Sequence, residues 1–253
     1  MAMSSADSAT PLASSAPVSG KGLGVIPDLF QAPTRAFRRL ASDPQWLGTA
    51  ALVLVLFAVA AWIRLPVEIA YSREVAEASF DRFDVPEENR EEALARMPDP
   101  DNLTMGQSVQ QVATGLGVMV VVVILGVLVL WLIGRLAGAS NASFRTSSAV
   151  LWTASVASGV GAIALGLLAR ASDTIEVSLA PGALFPYNSL PGIFLDVFDV
   201  FSLVVLFLLA IGVREVFRTK PGTSWAIAGT YWILASMTAV AGRLFGAWIS
   251  GAL

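Results

Sequence analysis

Five stretches of this chain, residues 46–63, 112–132, 147–168, 192–213 and 224–248, are apolar and nearly free of charge. A run of about 18 or more apolar residues is long enough to cross the hydrocarbon core of a bilayer as a helix. In hydrocarbon each backbone N–H and C=O must find its partner within the segment, so such a run has to be helical. Charged residues make up 14 % of the chain, where a soluble domain carries about 25 %. The sequence therefore predicts an all-α integral membrane protein, a five-transmembrane-helix bundle with an amphipathic helix on the cytoplasmic side at its N-terminus.

Composition also removes several chemistries. The chain has no cysteine and no histidine. Thiol nucleophiles, thiolate or imidazole metal ligands and imidazole bases are thereby excluded. Serine and threonine occur in the third and fifth runs, but no lysine lies within a run to activate them. Helix packing is their better reading, so no catalytic residue is assigned. No glycine-rich phosphate loop follows a strand, and no cofactor is expected. The net charge of −3 comes with no basic block, which argues against nucleic acid. Asp99, Asp101 and Asn102 cluster near a turn, but their spacing is not that of a calcium loop. No metal site is expected.

Outside the five runs the chain has three polar regions. Residues 1–25 are rich in Ser, Ala, Gly and Pro and read as a disordered tail, leaving a membrane domain over 26–250. In 27–44, Leu29, Phe30, Pro33, Phe37 and Leu40 fall near one helix face, with Arg35, Arg38 and Arg39 beside or opposite it. This is either an interfacial helix on an anionic leaflet or a solvated lead-in. Residues 66–111 form a hydrophilic acidic insert. Pro66 is expected to end the first helix, and a short helix is expected near 86–97.

Small residues mark packing faces. Ala154, Ser158, Ala162 and Gly166 recur every four residues in the third run, and Gly242, Gly246 and Ser250 do so in the fifth. Gly134 and Gly138 form a GxxxG. Such faces let helices approach closely. They suit contacts within one chain, self-association or protein partners, besides the lipid bilayer itself.

Lysine and arginine of short loops favour the cytoplasmic side. That places Arg35, Arg38, Arg39, Arg135, Arg145, Arg214, Arg218 and Lys220 inside, with the N-terminus cytoplasmic and the C-terminus outside.

The candidate site is a set of intramembrane charges. Asp196 and Asp199 stand at i and i+3, on one face of an unbroken fourth helix. Arg243 of the fifth run should reach the same depth, by the ~1.5 Å rise per residue. Carboxylates in a span usually face a bundle interior or a water cavity. The three residues read as a register-fixing ion pair, a proton or cation site, or wet interfacial groups.

The order of three stretches then gives a resemblance. They are Pro33 through Phe37-Arg-Arg-Leu to Pro44, Gly138-Ala-Ser-Asn-Ala-Ser-Phe144-Arg, and Asn188-Ser-Leu with Leu195-Asp196-Val-Phe198-Asp199-Val-Phe201 and Ile211-Gly212-Val213. The chain resembles the Yip family, the Ypt/Rab-interacting-protein domain, and its bacterial branch. The resemblance implies a compact five-helix bundle with a cytoplasmic N-terminus, in a bacterial cytoplasmic membrane. Eukaryotic members bind small GTPases and act in vesicle transport and membrane shaping. Their Asp-Leu-Tyr-Gly-Pro signature is absent here, which leaves GTPase binding open. The expectation is a non-enzymatic scaffold for membrane organisation or protein partners. The alternative is a small transporter or channel subunit using Asp196, Asp199 and Arg243.

Overall fold

The computed structural model describes residues 23–249, and among these every regular element is helical. The expected tail over residues 1–22, and Ser250 of the second stripe, lie outside the described residues. Two short helices open the described chain, α1 (Ile26–Gln31) and α2 (Pro33–Ser42). Five long helices follow: α3 (Leu47–Arg82), α5 (Met105–Leu136), α6 (Phe144–Ser172), α8 (Val200–Phe217) and α9 (Pro221–Ile249). All five are long and apolar enough to span a membrane. Between them lie α4 (Glu87–Arg96) and the six-residue α7 (Leu190–Leu195).

The central element is α6. It is the most buried of the five, and its most extensive partner is α3. The small stripe explains part of this. Ala154 is fully buried, and a Cβ on Gly166 would lie 3.3 Å from the Ala60 carbonyl and 3.2 Å from Arg64 Cγ. The closest approaches come from glycines off the stripe. Gly159 meets Leu56, and Gly161 sits against the Phe201 ring. The second stripe behaves differently, since a Cβ on Gly242 or Gly246 would meet nothing within 4 Å.

Three expectations are corrected. Pro66 does not end the first span. α3 runs through it to Arg82, with Leu65, Val67 and Ile69 buried on either side. The proline costs one backbone hydrogen bond, which packing on both flanks outweighs. At ~1.5 Å per residue α3 is about 54 Å long, well beyond a ~30 Å hydrocarbon core. The acidic insert is thus mostly the projecting ends of α3 and α5, with α4 between them. Arg90 ties α4 to the end of α3, donating to the Val85 and Phe80 carbonyls and pairing with Asp81.

The second correction concerns Gly134 and Gly138, which do not form a common packing face. Gly134 lies under the Phe217 ring, where a Cβ would come within 2.9 Å of Cε2. Gly138 has φ +78° and ends α5, with the Ala139 N–H returning to the Gly134 carbonyl. That is a left-handed helix cap, where glycine carries no Cβ penalty. The third correction concerns the fourth span, which is broken and forms part of the site.

The bundle has two unlike ends. The starts of α3, α6 and α9 and the finishes of α5 and α8 share a basic end, with Arg135, Arg145, Arg214, Arg218 and Lys220 nearby. There α2 packs on α8. Phe37 is fully buried, and a Cβ on Gly212 would come within 2.8 Å of both the Phe37 ring and Val150. Leu29, Leu40, Val213 and Phe217 complete a core at 0–1 % exposure. At the opposite, acidic end lie the insert, the loop after α6 and the break before α8.

Candidate functional site

The fourth span begins as α7, capped by Ser189, whose hydroxyl accepts from the Gly192 N–H at 3.2 Å. It tightens into a 3-10 turn over Asp196–Phe198, and the chain then turns extended at Asp199 (φ −64°, ψ 153°). Asp199 is the N-cap of α8. Its Oδ1 accepts from the N–H groups of Phe201 at 2.8 Å and Ser202 at 3.1 Å. A carboxylate here satisfies backbone donors and complements the helix dipole. The two aspartates are therefore not i, i+3 neighbours on one unbroken helix.

They also have different partners. Arg243 Nη1 donates to Asp196 Oδ2 in an ion pair, and Ser178 Oγ donates to Asp196 Oδ1 at 2.7 Å. Arg243 Nη2 donates to the Tyr187 carbonyl at 3.0 Å, and its guanidinium lies 4.5 Å from the Tyr187 ring centroid. Gly182 packs directly on Asp196, where a Cβ would fall 2.2 Å from Oδ1. Only glycine fits there. The pair thus fastens the loop after α6 and the α7 segment to α9. Burial pushes the Tyr187 phenol up, with the Arg243 charge pulling the other way. Among the described residues, no cation forms an ion pair with Asp199.

The 18 residues of α8 span about 27 Å, close to the hydrocarbon thickness. If the Phe217 end meets one boundary, Asp199 meets the other. Arg243 lies about 33 Å along α9 from Pro221, at the same level.

Between α6, α8 and α9, a cavity of about 400 Å³ opens beneath these charges. Asp196, Asp199 and Arg243 line its top, and Ser155, Ser158, Ser202 and Ser236 its sides. Tyr231, Leu151 and Leu209 stand at its floor. Tyr231 is about 15 Å along α9 from Pro221, near mid-bilayer. The lining does not continue into the basic half, where Val150, Val213 and Ile227 are at 0–1 % exposure.

The polar lining groups other than Asp196, Asp199 and Arg243 were not singled out as a site from the sequence. Serine in α6 and α9 read as packing residues, and Ser202 and Tyr231 carried no signal of their own. The signal lay in spacing. Ser155 and Ser158, at i and i+3, share a helix face, and Ser236 occupies a matching depth on α9.

The N-terminal residues are placed as follows. Phe37 lies in the core and Phe30 is 58 % exposed. Arg39 pairs with Asp28 at 2.7 Å, Arg35 lies 3.8 Å from Asp28, and Arg38 Nε donates to Glu215 at 2.9 Å. In the insert, Asp99 accepts from Asn102 Nδ2 at 2.8 Å and from the Asp101 N–H at 3.0 Å. That cluster is a self-satisfied turn leading into α5. The Asn102 side chain, then the Asp101 N–H, hold the Asp99 carboxyl below its usual range.

Fold and site together define a polytopic helical membrane protein with a half-depth polar cavity beside a broken span. The Yip1 domain family model matches residues 28–243, so the chain belongs to the Yip family. Neither the curated proteins nor the solved structures include a match.

Proposed function

We propose that this protein is a non-enzymatic membrane organiser that holds protein partners at the basic end of its bundle. The supporting observation is the docking of α2 on α8 through Phe37, with the surrounding core at 0–1 % exposure. A rigid, closed platform suits binding better than turnover. In this reading the basic end faces the cytoplasm of a bacterial cell and the C-terminus lies on the other side, following the positive-inside rule. The α1–α2 pair rests at headgroup level as an amphipathic unit. Phe30 enters the lipid, and Arg35, Arg38 and Arg39 lie near anionic headgroups.

A second reading, a small transporter or channel subunit using Asp196, Asp199 and Arg243, draws on the broken fourth span. Interrupted helices are the usual frame of a transport site. The closed basic half counts against it, because the polar lining stops near mid-bilayer. Affinity capture of the tagged chain from native membranes separates the two. The organiser reading expects a stoichiometric protein partner that is lost in Phe37→Ala. It is overturned if no partner is retained while proteoliposomes show a cation flux that Asp199→Asn abolishes.

A further inference from the structure

The cavity between α6, α8 and α9 has a composition that selects a ligand. Asp196 and Arg243 neutralise one another within their ion pair. Asp199 remains as an unpaired carboxylate. Its Oδ1 serves two backbone N–H groups, leaving Oδ2 as an acceptor. Tyr231 turns its hydroxyl toward Gly126 of α5, and Ser158, Ser202 and Ser236 line the same space with hydroxyls that form no hydrogen bond to protein partners among the described residues. They have acceptor and donor capacity to spare. The remaining wall is apolar, with Ile193, Val197, Val205, Trp232 and Val240. Asp199 meets only the backbone N–H groups that start α8 and has no counter-ion among the described residues, so a cation at Oδ2 would be attracted.

The mouth adds a second constraint. Of the lining residues, Ala235 and Ala239 on α9 are exposed, so the cavity opens along the side of α9 that faces the surrounding lipid. A metal ion lacks a ligand set there, because no group of three His, Cys, Asp or Glu side chains is gathered among the described residues. An amphiphile that carries its own positive charge needs no such set. Its head would meet Asp199 at the bilayer boundary, and its chain would lie down the wall toward Leu151 and Leu209. The volume of about 400 Å³ falls within the usual range for small-molecule pockets, about 300–1,000 Å³.

We propose that this cavity binds the ammonium group of a small amphiphile, with Asp199 as the counter-ion, the serine hydroxyls as hydrogen-bond partners and the Trp232 side as the apolar wall. A lipid headgroup amine and a free alkylamine present the same chemistry.

The test is calorimetric titration of the full chain in phosphatidylcholine nanodiscs with n-butylammonium, using n-butanol as the neutral counterpart. Saturable binding of the ammonium and none of the alcohol is expected. Asp199→Asn retains an N-capping oxygen and removes only the charge, so the fold persists and the Kd should rise by about tenfold or more. Ser236→Phe fills the cavity without touching the cap and should abolish binding, while Asp99→Asn, in the distant insert, should leave it unchanged. Equal binding of butanol, or an unchanged Kd in Asp199→Asn, overturns the proposal. Nanodiscs containing phosphatidylethanolamine identify the source. A weakened apparent affinity there assigns the site to the lipid headgroup, and an equal affinity assigns it to a free amine. Loss of protein partners in Phe37→Ala is read independently of this titration.

Discussion

The two ends of the bundle solve the same packing problem in opposite ways. At the basic end, glycines sit against aromatic rings, Gly212 on Phe37 and Gly134 on Phe217, and the helices close to contact distance. At the acidic end, α8 starts late, a capped break replaces its first turns, and serines stand where large apolar side chains would otherwise fill. One end is held by shape. The other keeps one such glycine–ring contact, Gly161 on Phe201, and adds hydrogen bonds and an ion pair around a space that is left open. Stability should therefore respond to volume changes at the basic end and to polar changes at the acidic end.

The largest effect should come from the basic end. Phe37→Ala leaves a cavity in a fully enclosed core and should cost about 3–5 kcal/mol, read as a lowered unfolding temperature in detergent. Gly212→Val overfills the same contact and should lower it as well. If neither changes thermal stability, α2 is not docked.

The ion pair comes next. Breaking a buried pair is expensive, but Asp196 and Arg243 retain 16 % and 28 % side-chain exposure. Asp196→Asn or Arg243→Gln alone should cost about 2 kcal/mol. A double-mutant cycle should show coupling between Asp196 and Arg243 and little between Asp199 and Arg243. The reverse pattern would make Asp199, and not Asp196, the partner of Arg243.

At Asp199 the replacement chemistry separates capping from charge. Asp199→Ala should lose about 1 kcal/mol of helix-start stability, whereas Asp199→Asn should lose almost none. Unfolding temperatures that fall equally for both variants would mean that the charge, and not the cap, is what the fold needs.

The spans were legible in the sequence because lipid allows few alternatives. Charge-free apolar runs have to be helices, so five runs became five long helices. The interruption before α8 was less legible. Leu195 to Phe201 reads as helical by composition, and only Asp199 directly ahead of an apolar run signals a cap. Pro66 misled for a related reason. Proline removes a backbone hydrogen bond wherever it stands inside a helix, but buried neighbours on both sides carry α3 through. Arg243 could be matched to Asp196 by depth alone. Ser178, Gly182 and Tyr187 could not be, because a loop fold places them and no periodicity encodes it.

The smallest effect belongs to the insert. The Asp99 carboxyl is held below its ordinary value of 3.8 by Asn102 and the Asp101 N–H. A depressed carboxyl stabilises the turn in full above that value, and the contribution is lost as pH falls through the lower, folded value. Hydrogen exchange at the start of α5 should quicken below about pH 4. Asp99→Asn should remove that pH dependence. An unchanged acid profile would show that the turn is not held by this carboxylate.

The contrast between an open and a closed half can be tested directly because the chain has no cysteine. Single cysteines at Ser158 and Ser236 report on the cavity, and single cysteines at Ala149 and Ala228 report on the closed core. Labelling of membrane-embedded protein with a small, charged, water-soluble thiol reagent measures access at each position. Rapid modification at the first two positions and none at the last two is expected. Equal modification at all four, from either face of the membrane, would contradict the closed half and with it the account of this protein as an organiser.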